Sequence, residues 1–160
     1  MAVTIRALDP SYATLGIALH FLARRAPFSG FRFGDLTQTV DDQIRRGHAL
    51  FAFDDRRVVG YLGWHLYSHA EARDFARTGK PPPLDRPDGA DVAWVMTAAA
   101  AVPQTLMALV EAGKALNIGR RAMGVRYRKT GKRVIFDQLI APRRATTGAV
   151  RDEDASRPQR

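Results

Sequence analysis

The 160-residue chain carries 25 lysines and arginines against 16 aspartates and glutamates, a formal charge of +9, with 46% hydrophobic residues and no cysteine. That length suits one domain with a substantial core and leaves no room for a second of ordinary size. Without cysteine there are no disulfide frameworks, thiolate nucleophiles or cysteine-ligated zinc sites, and a reducing, cytoplasmic setting is the expectation.

The longest apolar stretches, such as Leu15 to Leu22 and Val92 to Pro103, fall well short of the roughly 20 residues that span a bilayer. Met1 to Asp9 lacks the apolar core and cleavage site of a secretory leader. The excess positive charge favours an acidic partner. Nucleic acid, an anionic lipid surface and an acidic protein all satisfy it, and only the placement of the charges separates them.

Asp9-Pro10 reads as a helix start, with the carboxylate as cap and proline in the first turn. Tyr12, Leu15, Leu19 and Leu22 then recur at three- and four-residue steps, predicting a helix from about Pro10 to Arg24. Ala26-Pro27-Phe28-Ser29-Gly30 reads as a loop. A second helix is predicted over Leu36 to Arg46, capped by Asp35 and stopped by Gly47.

Ala49 to Phe53 and Val58 to Trp64 are apolar runs joined by Asp54-Asp55-Arg56-Arg57, which predicts a β-hairpin covered on both faces. His69 to Arg77 is helix-compatible. Four prolines between Pro81 and Pro87, followed by Gly89, mark an irregular excursion. Val92 to Met96 resumes as a strand. Pro103 opens a helix to about Asn117, with Leu106, Leu109, Val110 and Leu116 expected in the core and Gly119 as its stop. Arg121 to Arg128 and Arg133 to Leu139 form a second hairpin. Trp64 and Trp94 lie within apolar strands and read as core residues.

This order describes an α/β domain with a mixed, largely antiparallel sheet flanked by helices. The layout resembles the acetyltransferase-like (GNAT-like) domain, in which a hairpin, a central strand, a helix and a final hairpin frame a V-shaped cleft for an acyl donor. More narrowly, the chain resembles the toxin-activating lysine-acyltransferases. The resemblance is carried by Ala26-Pro27-Phe28, Arg46-Gly47-His48-Ala49-Leu50, Val59-Gly60-Tyr61-Leu62-Gly63-Trp64, the strand around Trp94 and the basic hairpin. It covers about Leu15 to Leu139 and implies an acyltransferase-like domain over residues 1–141; the tail over 142–160, charged and poor in large apolar residues, is expected to be mobile. It also implies transfer of a fatty acyl group from acyl carrier protein to a lysine of a protein substrate, no bound cofactor and the possibility of a homodimer. The glycine-containing run that holds coenzyme A pyrophosphate in acetyltransferases is missing before the helix at Pro103.

A lysine amine must lose a proton before it attacks a thioester, since its free pKa is about 10.4. A histidine oriented by a carboxylate is the usual acceptor. The resemblance places that pair at Ser29 and Thr97, whose hydroxyls do not accept a proton at neutral pH but can hydrogen-bond a thioester carbonyl. His20, near the end of the first helix, and His48, opening the first hairpin, are the substitute bases. Each has a plain alternative, a bond to backbone or solvent. His65 and His69 would share a face only on a helix, and His65 falls in a strand, so no metal set is expected.

Arg120, Arg121, Arg126, Arg128, Lys129, Lys132 and Arg133 occur with no acidic residue among them. They read either as a solvated hairpin or as a docking patch for an acidic carrier protein and its phosphopantetheine phosphate. Tyr127 is the one aromatic interleaved with them, which weighs against a single-strand nucleic-acid groove. Two functions stand side by side: a carrier-protein-dependent lysine acyltransferase, and a descendant that kept fold and basic face but lost the reaction, serving as a binding subunit or assembly factor.

Overall fold

The computed structural model describes residues 3–142, so the tail from Arg143 onward lies outside the described residues. Six strands form one sheet in the order of the sequence: β1 (Thr4–Arg6), β2 (Ala49–Asp54), β3 (Arg57–Tyr67), β4 (Val92–Ala100), β5 (Arg121–Tyr127) and β6 (Arg133–Leu139). Neighbours are antiparallel except β4 and β5, which run parallel. Four helices, α1 (Tyr12–Leu22), α2 (Phe33–Arg45), α3 (His69–Thr78) and α4 (Pro103–Ala115), cover it. The expected mixed, largely antiparallel sheet is therefore observed. Strand β1 was not predicted, because three residues paired only to β2 give too short a pattern to read.

Local chemistry moves several boundaries. Ser11, not Asp9, caps α1, its Oγ accepting from the Thr14 amide, while the Asp9 carbonyl accepts from Thr14 Oγ1 at 2.7 Å. Asp35 lies inside the first turn of α2, where a carboxylate favours the helix dipole without capping it. Gly47 ends that helix with a left-handed φ of 72°. Helix α3 carries a full capping box, Ser68 and Glu71 each accepting from the other's amide, and Gly79 closes it at φ 70°. Leu116, expected in the core, is exposed at the C-cap of α4, just past the helix end at Ala115.

Side-chain alternation divides the core. Phe51, Phe53 and Tyr61 meet Leu22, Val40 and Ile44 of α1 and α2, whereas Leu50, Ala52, Leu62 and Trp64 meet Leu109 of α4 on the opposite face. Beyond α2 on the first face, Phe75 of α3 stacks on Trp94 at 4.6 Å with Tyr67 and Met123 beside them. Trp64 and Trp94 are buried, as their strands suggested.

Candidate functional site

The β3–β4 register breaks between Gly63 and Trp64: Gly63 opposes Thr97 and Trp64 opposes Val95, so Met96 is an extra residue in β4. This bulge changes which residues of β4 face α1, α2 and α3, from Val92 and Trp94 before it to Thr97 and Ala99 after it. At the same point β4 loses its other neighbour. Its pairing with β5 covers four residue pairs and ends at Val95 opposite Gly124, although β4 runs on to Ala100 and β5 to Tyr127. The two parallel strands therefore part, leaving the β5-side edge of Met96 to Ala100 without a strand partner among the described residues.

Glycine is needed at the parting. A Cβ on Gly124 would stand 2.6 Å from the Phe136 ring and 3.1 Å from the Val95 carbonyl. Helix α4 starts just beyond the open end of β4, where Val102 supplies no side-chain cap and Pro103 stands in the first turn. The β5–β6 loop lies at that same end, since β5 runs parallel to β4.

The proposed residues fall in different places. Ser29 is exposed in a 3-10 turn (Phe28–Gly30) that follows a cis Ala26-Pro27 bond, and its amide donates to the Arg25 carbonyl. Thr97 is 1% exposed beneath α2, where its Oγ1 accepts from Gln43 Nε2 at 3.3 Å. Gln43 Oε1 in turn accepts from the Tyr61 hydroxyl at 2.8 Å. Burial pushes the Tyr61 hydroxyl far above its usual pKa, so it serves as a donor. Gly63 makes room for this chain, since a Cβ there would overlap the Gln43 amide. His20 is exposed on the last turn of α1 and borders a cavity with Arg24, Arg25 and Arg57. His69 begins α3.

His48 belongs to a buried polar group at the other end of the sheet. Its ring stacks on Trp64, and Nε2 lies 3.7 Å from Asp88. Burial lowers its pKa against the pull of Asp88, so its imidazole is neutral at pH 7. His65 Nε2 stands 3.3 Å from Asp42 Oδ2 and His65 Nδ1 3.3 Å from the Tyr67 hydroxyl. Burial drops its pKa to about 4, with Asp42 opposing. Arg46 ties the group together: it binds Asp42 at 2.8 Å and Asp88 at 2.6 Å, and also donates to the carbonyls of Leu84 and Arg86. The proline-rich excursion is thereby strapped over the sheet. Sequence reasoning missed this cluster, although Asp42 and Arg46 stand at the four-residue spacing of a helical ion pair.

The basic run is spread along the last hairpin. Arg121 pairs with Asp137 across it at 2.6 Å, and Arg120 donates to the Ala90 carbonyl at the start of β5. Arg126, Arg128, Lys129, Lys132 and Arg133 are exposed at the far end, around a turn where Gly131 has φ 79°. Arg133 also donates to the Ala76 carbonyl of α3 at 3.3 Å. Among the described residues no cluster of histidine and carboxylate suits a metal ion, and no helix is long and apolar enough to cross a membrane.

No protein-family model matches the chain, and no curated protein matches it by sequence. Solved structures match it in fold. The chain is similar to the GNAT-like decarboxylase GphF in complex with isobutyryl-CoA, at 18% identity and TM-score 0.56, covering 79% of this chain and 67% of that one. The loading GNAT-like domain of CurA from Lyngbya majuscula matches at 10% identity and TM-score 0.51, covering 79% and 66%. A putative acetyltransferase of the GNAT family from Desulfovibrio desulfuricans matches at 15% identity and TM-score 0.52, covering 88% of this chain and all of that one. The chain thus has the GNAT-like fold, and it spans about two thirds of the length of the first two.

Proposed function

We propose that the chain is an acyltransferase that receives a fatty acyl group as a phosphopantetheine thioester from acyl carrier protein and passes it to a lysine side chain of a protein. The observation that carries this reading is the parting of β4 and β5 after Val95 and Gly124. An extended pantetheine arm carries amides, and the unpaired edge of β4 offers backbone groups that hydrogen-bond it as an added strand would. The exposed cations from Arg126 to Arg133 lie at the end where such an arm enters, suited to a phosphate and an acidic carrier helix. That GphF is described in complex with isobutyryl-CoA, itself an acyl thioester, supports the donor class. The missing pyrophosphate run before α4 favours a carrier-borne arm over free coenzyme A.

The test is incubation with acyl carrier proteins of several chain lengths, following thioester loss by intact mass. Loss confined to particular chain lengths, with acyl mass appearing on a lysine, is the expected result. The absence of both thioester loss and a complex, with every acyl chain tried, would refute the reading.

A second reading, a binding protein that retains the cleft without the reaction, is favoured by the burial of Thr97 against Gln43 and the exposure of Ser29. In that case the carrier docks and its thioester survives.

A further inference from the structure

A cavity of about 530 Å³ lies between the end of α1 and the start of β3. Ile17, His20, Phe21 and Arg24 recur at helical spacing along α1 and the turn after it, presenting one stripe to the cavity, and Arg57 with Val58 closes it from β3. Arg25 is already oriented: its guanidinium lies 3.7 Å over the Phe21 ring, and Nη1 donates to the Phe21 carbonyl at 3.1 Å. Among the described residues its other donors have no hydrogen-bond partner.

Among the described residues no carboxylate lines the cavity. Asp54 and Asp55 adjoin Arg57 in the β2–β3 turn, yet among the described residues no ion pair joins either to Arg24, Arg25 or Arg57. Cations at a helix C-terminus are expected in part, because the helix dipole presents about half a negative charge there. Three guanidinium groups and an imidazole exceed that need, and Arg57 comes from a different element. The apolar part also lacks a partner, since Ile17 is 40% exposed at the cavity.

We propose that this cavity is a binding site for an organic phosphate monoester, its phosphate held by Arg24, Arg25 and Arg57 and its apolar part against Ile17, Phe21 and Val58. A phosphate monoester carries −1.5 to −2 charges at neutral pH and three acceptor oxygens, which matches several guanidinium groups better than a single carboxylate does. The volume suits a small organic ligand. The cavity is bounded by β3 and α1, on the other side of β4 from the parting, where β5 borders β4. It stands or falls independently of the acyltransferase reading.

The experiment is calorimetric titration of the full chain at low salt with phenyl phosphate, inorganic phosphate and benzoate. Phenyl phosphate should bind saturably at one site and about tenfold or more tighter than either fragment probe. Arg24→Ala and Arg57→Ala should each weaken it about tenfold or more, the loss of a charge-assisted hydrogen bond, while Arg73→Ala, at an exposed position on α3, leaves it unchanged. Methyl NMR shifts of Ile17 and Val58 in the unaltered protein give a readout that needs no variant. Benzoate binding as tightly as phenyl phosphate, affinity insensitive to Arg24 and Arg57, or unshifted methyls would overturn the proposal.

Discussion

His65 Nε2 stands 3.3 Å from Asp42 Oδ2 in a site where the histidine side chain is only 4% exposed, so a buried imidazole faces a carboxylate without an aligned hydrogen bond. Arg46, Arg86 and His48 oppose its protonation and Asp42 favours it, but burial dominates and the ring stays neutral down to about pH 4. The unfolded chain would protonate it near 6.5. Between those values the unfolded state binds the extra proton, so stability falls as pH falls through that window, by up to about 3 kcal/mol from this group. Urea unfolding from pH 7 to pH 4.5 should show that decline, and His65→Gln should flatten it. An unchanged slope in the variant would show that His65 titrates normally in the folded protein.

Gly124, in the last β4–β5 pair before the parting, leaves no room for a side chain. Gly124→Ala would drive a methyl group into the Phe136 ring and toward the Val95 carbonyl. Overpacking of this kind costs about 1–3 kcal/mol. Thermal unfolding should detect the loss, and Gly124→Ala in a Phe136→Leu background should recover part of it. Equal losses in both backgrounds would mean that the ring is not what glycine accommodates.

Gly63 supports the polar chain beside the bulge. Gly63→Ala must displace the Gln43 amide from Thr97 and Tyr61 and should destabilise by about 2 kcal/mol or more. In a Gln43→Ala background the same substitution should cost much less, a coupling that a double-mutant cycle measures directly. Additive losses would rule out Gln43 as the obstacle.

These glycines show where sequence reading stops. The hairpins and the helix at Pro103 were legible because period, turn residues and proline placement act locally. Gly63 and Gly124 are required by side chains distant in sequence, and nothing in a local pattern announces a Gln43 or Phe136 contact. The bulge at Met96 is equally silent, being defined by pairing with β3. The Asp42–Arg46–Asp88 tie joins a helix to an irregular segment more than forty residues on, so only its helical half had a visible spacing. Ser29 and Thr97 were placed by resemblance, and the structure puts one on a surface turn and the other beneath α2.

Carrier-protein docking tests the basic hairpin. Arg126 and Arg128 are exposed and, unlike Arg121 with its Asp137 partner, have no ion pair among the described residues. Reversing both to glutamate should weaken carrier binding several-fold and flatten its salt dependence, because fewer opposite charges remain to be screened. Fluorescence anisotropy at two ionic strengths measures both effects. Undiminished affinity at low salt would leave the hairpin as solvated surface.

Thr97 separates structural from chemical roles most cleanly. Thr97→Val keeps the shape and removes the acceptor for the buried Gln43 Nε2 while Oε1 keeps its bond from Tyr61, at a cost of about 1–3 kcal/mol. Ser29→Ala, at an exposed position, should stay within about 0.5 kcal/mol of the parent. If the threonine hydroxyl only serves Gln43, thioester turnover per folded molecule should be unchanged in Thr97→Val. A loss of about 10²-fold with the fold retained would instead put that hydroxyl at the reacting carbonyl. Installing the implied pair, Ser29→His with Thr97→Asp, sharpens the contrast. The new carboxylate would be buried beside a neutral amide, so its pKa should rise and stability should fall by several kcal/mol. No gain of acyl transfer is expected. Transfer appearing in the double variant would show that Ser29 and Thr97 do meet across one cleft, and that the burial seen at Thr97 opens when a donor binds.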